Sequence, residues 1–421
     1  MIRRQTGFTL VELMVTMVIF LLVIAAMASI FAGLLGQFKQ QSKIAETNIE
    51  GIVGLEILRF NLEQAGYGLP WTVDLDGTRR GNGDWSALGR YCEAAPAAAA
   101  PNISPNPAAY NDGAASAACT STNFGVRAPR AVVAGNGVGP NGSDYLVIKA
   151  LNLGLSAVVN RWTYIRNSEI GNAYTTAWGS GDEDPADENS VIVIKPSAGN
   201  SQRILLTDSD GFFFTEFNTS VASFNSTLAP YEGSFDTFVI YGIADKTNLR
   251  MPFNRADFYI MTESVPARCA RGTGVLMKRL LNQGSGLRGD PLPLIDCVAD
   301  LQITLRLDIN DDGIADTTAN ADGSTVFGSA VGTTLTDAEL IRQRLKEVHM
   351  YILAHEGQRD PSFTFSNFTG GGTSVLVGNN EIGDAAALTA NFDFASRSIA
   401  DYLNYRWRVF QLIITPHNVR L

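Results

Sequence analysis

Apolar and charged positions divide the chain into an apolar front and a long, mixed remainder. Between Leu13 and Phe38 there is no Asp, Glu, Lys or Arg, and this run of 26 residues is rich in Leu, Ile, Val, Met and Ala and lacks Pro. A helix of about 20 apolar residues suffices to cross the core of a bilayer. Because 26 uncharged residues is long for a buried core helix, the pattern predicts a membrane segment over about 13–38.

A helical pattern continues beyond this segment. Apolar residues recur at spacings near three and four with Lys and Glu between them, at Ile44, Ile52, Leu55, Leu58 and Leu62. Gly66, Gly68 and Pro70 predict the end of the helix. We therefore expect one helix over 8–65, about 87 Å long at ~1.5 Å per residue, with a transmembrane half and an amphipathic half. Its internal glycines leave two interpretations open, tolerated bends or close packing with local melting; they are Gly33, Gly36, Gly51 and Gly54.

The rest of the chain is dominated by short runs rich in β-branched and aromatic residues, separated by turn-rich segments. The predicted strands are 145–150, 157–165, 191–194, 203–206, 238–243, 257–262, 274–280, 301–307, 348–354 and 407–414. The expected fold class is α+β, a long N-terminal helix with a large β-rich globular head. We divide the head into 66–290, which carries surface insertions, and a C-terminal β region, 291–421. The Ala-, Pro- and Gly-rich stretch 93–142 is expected to be a long surface excursion.

The residues in front of the apolar run indicate a class of protein more specifically than the run itself does. They read M-I-R-R-Q-T-G and then F-T-L-V-E, so that Glu12 lies at the start of the apolar segment. An acidic side chain beside hydrocarbon costs a few kcal/mol unless it is paired, and is read as functional by default. A secretory signal peptide is the alternative, but its apolar region spans only about 7–15 residues. Arg3 and Arg4 keep the first residues in the cytoplasm, so the remainder is exported.

Arg-Arg-x-x-Gly, Phe-Thr-Leu-Val-Glu and the apolar stretch together resemble the class III leader of type IV pilins and type II secretion pseudopilins. The resemblance implies that a prepilin peptidase cuts the Gly7–Phe8 bond and N-methylates Phe8. Residues 1–7 are then the leader peptide and 8–65 the pilin helix. Glu12, the fifth residue of the mature chain, would pair with the Phe8 ammonium of a neighbouring subunit and so set axial register.

Segments 58–68 and 293–302, together with the closing strands, are similar to PilW-type minor pilins. The resemblance implies a minor pilin that primes the assembly of a type IV pilus, at its tip. Such a protein lies in the bacterial inner membrane with an exported, periplasmic head, and then in a cell-surface pilus. Its partners would be the prepilin peptidase, the major pilin and other minor pilins. Two alternatives stay open: a type II secretion pseudopilin, and a tip adhesin or calcium-dependent binding module.

Composition and charge add two constraints. The chain has 32 Lys and Arg against 42 Asp and Glu, a net charge of −10, which disfavours a nucleic-acid partner. Its four cysteines lie in the exported part, where disulfides are the default for an even count. Sequence proximity favours Cys92–Cys119 and Cys269–Cys297 over the other two pairings.

A calcium loop is the best metal-site hypothesis. The series D-x-[DN]-x-D-G-x-x-D, typical of such loops, would supply ligands from Asp308, Asn310, Asp312, the backbone carbonyl of Ile314, and Asp316. The twelfth position is Ala319 rather than Glu, so an EF-hand is not expected. The alternative is an Asn/Asp/Gly hairpin turn that needs no ion. A second acidic segment, 179–190, is expected to be a solvated loop.

The sequence offers little support for an enzyme. The sequence has no G-x-S-x-G, no Walker A motif and no G-x-G-x-x-G between a strand and a helix. Of the three histidines, His349 and His355 share a face of one predicted strand, and we interpret them as structural. The sequence therefore predicts an assembly protein, not an enzyme.

Overall fold

The computed structural model describes residues 7, 9–74, 84–88, 90–96, 105–116, 118–119, 127–166, 184–186, 188–196, 203–217, 226–230, 236–369, 372–378, 390–397 and 399–419. This part of the chain contains a long helix, α1 (Leu10–Glu63), and a short one, α2 (Ala338–Arg344). The strands are β1 (Thr72–Asp74), β2 (Val132–Gly135), β3 (Tyr145–Ala150), β4 (Trp162–Arg166), β5 (Ser190–Pro196), β6 (Arg203–Leu206), β7 (Phe214–Glu216), β8 (Thr237–Ala244), β9 (Asn254–Met261), β10 (Gly274–Leu280), β11 (Leu292–Leu307), β12 (Thr317–Asn320), β13 (Val326–Phe327), β14 (Leu345–Glu356), β15 (Ser374–Val377), β16 (Ala390–Asp393) and β17 (Arg406–Ile414). Short 3₁₀ helices lie at Trp85–Ala87, Pro107–Tyr110, Pro140–Gly142, Leu151–Leu153, Ala157–Asn160, Ser226–Leu228, Thr334–Thr336 and Tyr402–Asn404.

The strands form two large sheets and one hairpin. The first sheet has the order β1-β6-β5-β8-β4, with β7 beside β5. The second has the order β13-β12-β11-β10-β9-β3-β2, and β14 joins it beside β11, followed by β17. β15 and β16 form the hairpin, and β1 pairs with β6 in parallel. Because β11 pairs with β10 and also with β14, the second sheet runs across residue 290 and joins both parts of the head.

The last turns of α1 pack on the second sheet. Leu58 and Leu62 are fully buried in the main core, which also contains Leu301 and Ile303 of β11. Burying a Leu side chain stabilises the fold by about 1.5–3 kcal/mol, so this apolar stripe holds the helix against the head. Beyond Glu63 the chain turns away at Gly66 and Gly68, whose φ angles of +81° and +66° favour glycine.

Gly54 explains how closely α1 approaches the sheet. A Cβ at this position would overlap the carbonyl oxygen of Leu294 in β11, so only glycine fits. At Gly33, Gly36 and Gly51 a Cβ would meet nothing within 4 Å. Close packing therefore accounts for Gly54, while α1 continues unbroken through the other three.

The predicted α+β class is confirmed: a long apolar helix precedes a β-rich globular head. The strand predicted at 157–165 is wrong in its first half, where Ala157–Asn160 is a 3₁₀ helix and β4 begins at Trp162. The Ser156 hydroxyl caps this helix by accepting a hydrogen bond from the Val158 N–H group at 3.5 Å. A short apolar run is compatible with either a strand or a helix, and here the Ser156 cap favours the 3₁₀ helix.

The prediction of a surface excursion over 93–142 is also wrong for those described residues of the segment that are buried, although others, such as Val138, are exposed. Glu93 and Asp112 are buried, and β2 pairs with β3 as an edge strand of the second sheet. The composition of the segment indicates weak helix and strand propensity. It does not indicate whether the segment is exposed to solvent. Ion pairs inside the head hold it in place, as described below.

Candidate functional site

The front of α1 carries the residues that the leader motif singles out. Gly7 is exposed, whereas Phe8 lies outside the described residues. Thr9 caps the helix: its hydroxyl accepts a hydrogen bond from the Glu12 N–H group at 3.3 Å, and the Glu12 carboxylate accepts one from the Thr9 N–H group at 2.9 Å. This reciprocal capping box fixes where the helix begins and turns the Glu12 carboxylate towards the Gly7 side of the chain.

The apolar front of α1 extends beyond the described part of the head without contacting it. Its large apolar side chains from Leu10 to Phe38 are between 44% and 77% exposed. Within the described residues, α1 is the helix that is long and apolar enough to cross a membrane, and the head covers none of its most apolar part. Such a surface is stable only in lipid or against other apolar helices.

The outer face of the head-bound half is apolar as well. Ile49, Ile52, Val53 and Phe60 are each more than half exposed, on the side of α1 that does not pack on β11. Ile52, one of the positions that defines the amphipathic pattern, thus faces outwards. Both halves of the helix therefore present apolar surface to a partner.

Comparison with known families adds one match. Residues 2–28 match the prokaryotic N-terminal methylation motif. The chain is type IV pilin-like at its N-terminus. No curated protein and no solved structure matches it.

The motif and the apolar helix of this pilin-like chain indicate processing by a prepilin peptidase, membrane anchoring, and export of the head. Proteins of this class are generally structural and not enzymatic. The motif covers the leader from residue 2 onwards and about the first third of α1. The head lies outside the motif, so its role depends on its own residues.

The Asp308–Asp316 loop of the pilin-like chain is a tight turn whose carboxylates bind backbone groups. The Asp308 carboxylate accepts hydrogen bonds from the N–H groups of Asp312 at 3.1 Å and Gly313 at 2.8 Å. Its Oδ2 lies 3.0 Å from the Lys346 Nζ, and these contacts outweigh the effect of burial and lower the pKa of Asp308. Asp312 in turn accepts from the Ile314 N–H group at 2.8 Å. Asp308 thus has a cation already, and a Ca²⁺ ion would compete with Lys346 for it.

Both disulfides favoured by sequence proximity are present, Cys92–Cys119 and Cys269–Cys297. The His355 side chain lies close to the second disulfide, and its Nε2 accepts a hydrogen bond from the Ala270 N–H group at 2.9 Å. Burial lowers the pKa of His355 to about 3, so it stays neutral. Because both sulfurs are in the disulfide, this group of three residues offers no thiolate to a metal.

The second acidic segment, 179–190, is only partly described, and Asp182, Glu183 and Asp187 lie outside the described residues. Asp184 is buried rather than solvated, and its backbone carbonyl accepts a hydrogen bond from Arg161 at 3.2 Å. Glu188 is exposed and pairs with Lys246 at 3.0 Å. The prediction of a solvated loop is therefore wrong at Asp184 and right at Glu188.

A buried ion-pair network is the main feature that sequence reasoning missed. Lys149 of β3 lies 2.7 Å from the Glu93 carboxylate and 2.6 Å from that of Asp112, and all three side chains are fully buried. Arg255 of β9 also binds Glu93, at 2.9 Å, and Arg130 binds Asp112, at 2.7 Å. Each carboxylate thus has two cations, which is what charges removed from water need.

Electrostatics keep the Glu93 carboxylate ionised. Burial by itself raises the pKa of Glu93, but Lys149 and Arg255 outweigh it and lower the pKa to about 2. A signal for the network was present in the sequence, because Lys149 interrupts an otherwise apolar strand, and a buried lysine requires a counter-charge. The network connects Glu93 to β3 and β9, and Asp112 to β3.

Proposed function

We propose that the chain is a minor pilin of a type IV pilus, of the PilW type, which a prepilin peptidase processes and which joins the filament through α1. The observation that carries the proposal is the methylation motif at the exposed start of a helix whose apolar surface the head leaves uncovered. Before assembly the helix lies in the inner membrane with the head in the periplasm. Afterwards the same apolar surface packs against the helices of the major pilin and other minor pilins.

The size of the head supports a position at the tip. The head contains two large sheets and a further hairpin, and a bulky head crowds its lateral neighbours along a shaft. A subunit present in few copies at one end avoids this crowding. There it would prime assembly together with other minor pilins. A type II secretion pseudopilin has the same helix but usually a smaller head.

The experiment that tests the proposal compares wild type with Glu12→Ala by immunogold labelling of pili. We expect wild-type label at filament ends, and at least about tenfold less label for Glu12→Ala, because a buried ammonium that loses its carboxylate costs about 3–5 kcal/mol. Thr16→Ala, one turn further along the same helix, is the matched control and should label like wild type. Peptidase cleavage should be normal in both variants by mass spectrometry. Wild-type label absent from pili, or Glu12→Ala label at wild-type density, would contradict the proposal.

Calcium binding by the Asp308–Asp316 loop is a second, subordinate proposal that would suit a tip adhesin. Its support is the ligand spacing and the tight turn at Gly313, whose φ is +92°. Because Lys346 competes for Asp308, we expect weak affinity, in the range of about 10⁻⁴–10⁻³ M that is typical of extracellular modules.

Thermal unfolding in a Ca²⁺ titration checks this proposal. Millimolar Ca²⁺ should raise the Tm of wild type by a few degrees, and Asp308→Ala with Asp312→Ala should abolish the rise. Lys346→Met should increase the apparent affinity, because it removes the competing cation. If the wild-type Tm does not respond to Ca²⁺, the loop is only a turn.

A further inference from the structure

Two arginines lie against one tryptophan on the surface where α1 gives way to the first sheet. The guanidinium carbon of Arg203 is 5.3 Å from the centre of the Trp71 ring, and that of Arg342 is 4.9 Å from it. Both distances lie within the range of a cation–π contact. Trp71 precedes β1, Arg203 begins β6, and Arg342 lies in α2, so three distant segments of the chain build one patch.

Neither guanidinium has a carboxylate partner among the described residues. Arg203 donates one hydrogen bond, to the Gly66 carbonyl at 3.2 Å, and within the same part of the chain Arg342 makes none. Most other buried or half-buried arginines of the head are paired with acids, as in Arg130–Asp112, Arg255–Glu93, Arg268–Asp296, Arg288–Asp257 and Arg406–Asp360. The two arginines at Trp71 therefore keep most of their hydrogen-bond donors available.

Partial burial makes the charged forms of Arg203 and Arg342 unfavourable without a bound anion. Burial lowers the pKa of Arg342 to about 10, and the nearby charge of Arg203 lowers it further. The acidic Glu339 and Asp337 act in the opposite direction, from beyond ion-pair distance. Burial likewise lowers the pKa of Arg203. Two partly desolvated like charges destabilise each other, and an anion between them would relieve both effects.

Two tyrosines complete the patch beside Arg203. The rings of Tyr67 and Tyr241 meet edge to face with their centres 6.4 Å apart, and both are half-buried. Burial raises the pKa of Tyr241, so its hydroxyl stays protonated. Neither hydroxyl makes a hydrogen bond within the described chain, so both are able to donate one. We call Tyr67, Trp71, Arg203, Tyr241 and Arg342 the Arg–Trp–Arg surface.

We propose that the Arg–Trp–Arg surface docks an acidic segment of a neighbouring protein subunit, whose Asp or Glu carboxylates bind Arg203 and Arg342. Arg, Trp and Tyr are the residues enriched at the energetic centre of protein interfaces. Guanidinium groups bind carboxylates in a bidentate manner that fixes orientation as well as charge. In a chain with a net charge of −10, a local positive patch selects an acidic partner by complementarity.

The proposal rests on the proposed function, because a filament supplies the neighbouring subunit. The surface adjoins the C-terminal end of α1, the helix through which the chain would join the pilus. An acidic oligosaccharide is the competing occupant. It is the weaker one because sugars prefer an open aromatic face, and the Trp71 ring already contacts two guanidinium groups.

Fluorescence anisotropy on the processed full-length chain in non-ionic detergent tests the proposal, with a labelled hexaglutamate peptide as the probe. We expect the peptide to bind at low salt, and Arg203→Gln and Arg342→Gln each to weaken binding by roughly tenfold or more. Arg408→Gln is the matched control, since Arg408 is exposed and paired with Glu356 at 3.2 Å, and it should bind like wild type. Unchanged Tm values would show that the variants fold.

Three outcomes would overturn the proposal. They are no binding of hexaglutamate at low salt, equal binding by wild type and both arginine variants, and a tenfold preference for an oligogalacturonate of equal charge. The last would assign the surface to an acidic sugar instead of a protein. A failure of the proposed function would appear differently, as an uncut N-terminus or as wild-type protein absent from pili, and the binding measurements would not change.

Discussion

Gly7→Leu is expected to leave the chain uncut at the Gly7–Phe8 bond. Gly7 offers no side chain for the peptidase to accommodate beside the scissile bond, and a Leu side chain there would displace that bond from the catalytic groups. A misplacement of about 1 Å costs roughly 10²-fold in rate, so cleavage should fall below detection. Mass spectrometry of the membrane fraction would then find a chain heavier by the seven leader residues and without a methylated Phe8.

Thr6→Leu is the matched control for this prediction. It places the same side chain one residue earlier, at a position that the Arg-Arg-x-x-Gly pattern leaves variable. This variant should be cut and methylated as in wild type. A Gly7→Leu chain that begins at a methylated Phe8 would refute the leader assignment, and with it the route by which the chain enters a filament.

The second large effect is expected inside the head, from Lys149→Met. Methionine has nearly the shape of lysine but leaves Glu93 and Asp112 with one cation each, Arg255 and Arg130, instead of two. Breaking a buried ion pair on one side costs about 3–5 kcal/mol, and because these second cations remain we expect about 3 kcal/mol. Urea unfolding of the full-length chain in detergent, followed by tryptophan fluorescence, would measure the loss as a lower midpoint.

Two further variants make this test specific. Arg59→Met removes an exposed cation 2.9 Å from Glu63, and should cost less than about 1 kcal/mol. Combining Lys149→Met with Asp112→Asn should cost less than the sum of the two single changes, because each single change already removes the same Lys149–Asp112 contact. A single Lys149→Met variant as stable as Arg59→Met would show that the network contributes nothing.

The pH dependence follows from the same group. The pKa of Glu93 is depressed in the folded chain, so its ionisation stabilises the fold above its ordinary pKa near 4.5. As the pH falls from about 4.5 to about 2 this contribution is lost. The stability contributed by Glu93 should therefore be complete above about pH 4.5 and absent below about pH 2, which urea unfolding at a series of pH values would measure.

The sequence predicts the N-terminal helix well because bilayer physics is local. An uncharged run, two arginines and Glu12 suffice to predict a membrane helix and its orientation, and the capping box at Thr9 agrees with them. Among the strands, Tyr145–Ala150 and Gly274–Leu280 are predicted to the residue, since β-branched runs bounded by turns carry their own signal.

The buried network and the Arg–Trp–Arg surface could not be predicted in this way. Lys149 meets partners 56 and 37 residues earlier in the chain, within a stretch whose composition is typical of loops. Arg342 lies in α2, a seven-residue helix too short to show periodicity. Such contacts arise from the order of strands in the sheets, and a single sequence carries no direct signal of that order.

The attachment of α1 to the head has a mechanical consequence. Its polar contacts are spread from Gln40, which binds Gln358, through Thr47, which binds Gly357, to Asn61, which binds Lys278. These contacts cover roughly 30 Å of the helix axis. A pull on the filament along that axis loads them side by side, in shear, so that they must fail together. A sideways pull at Gln40 would open them one after another, and the head should tolerate axial tension far better than peeling.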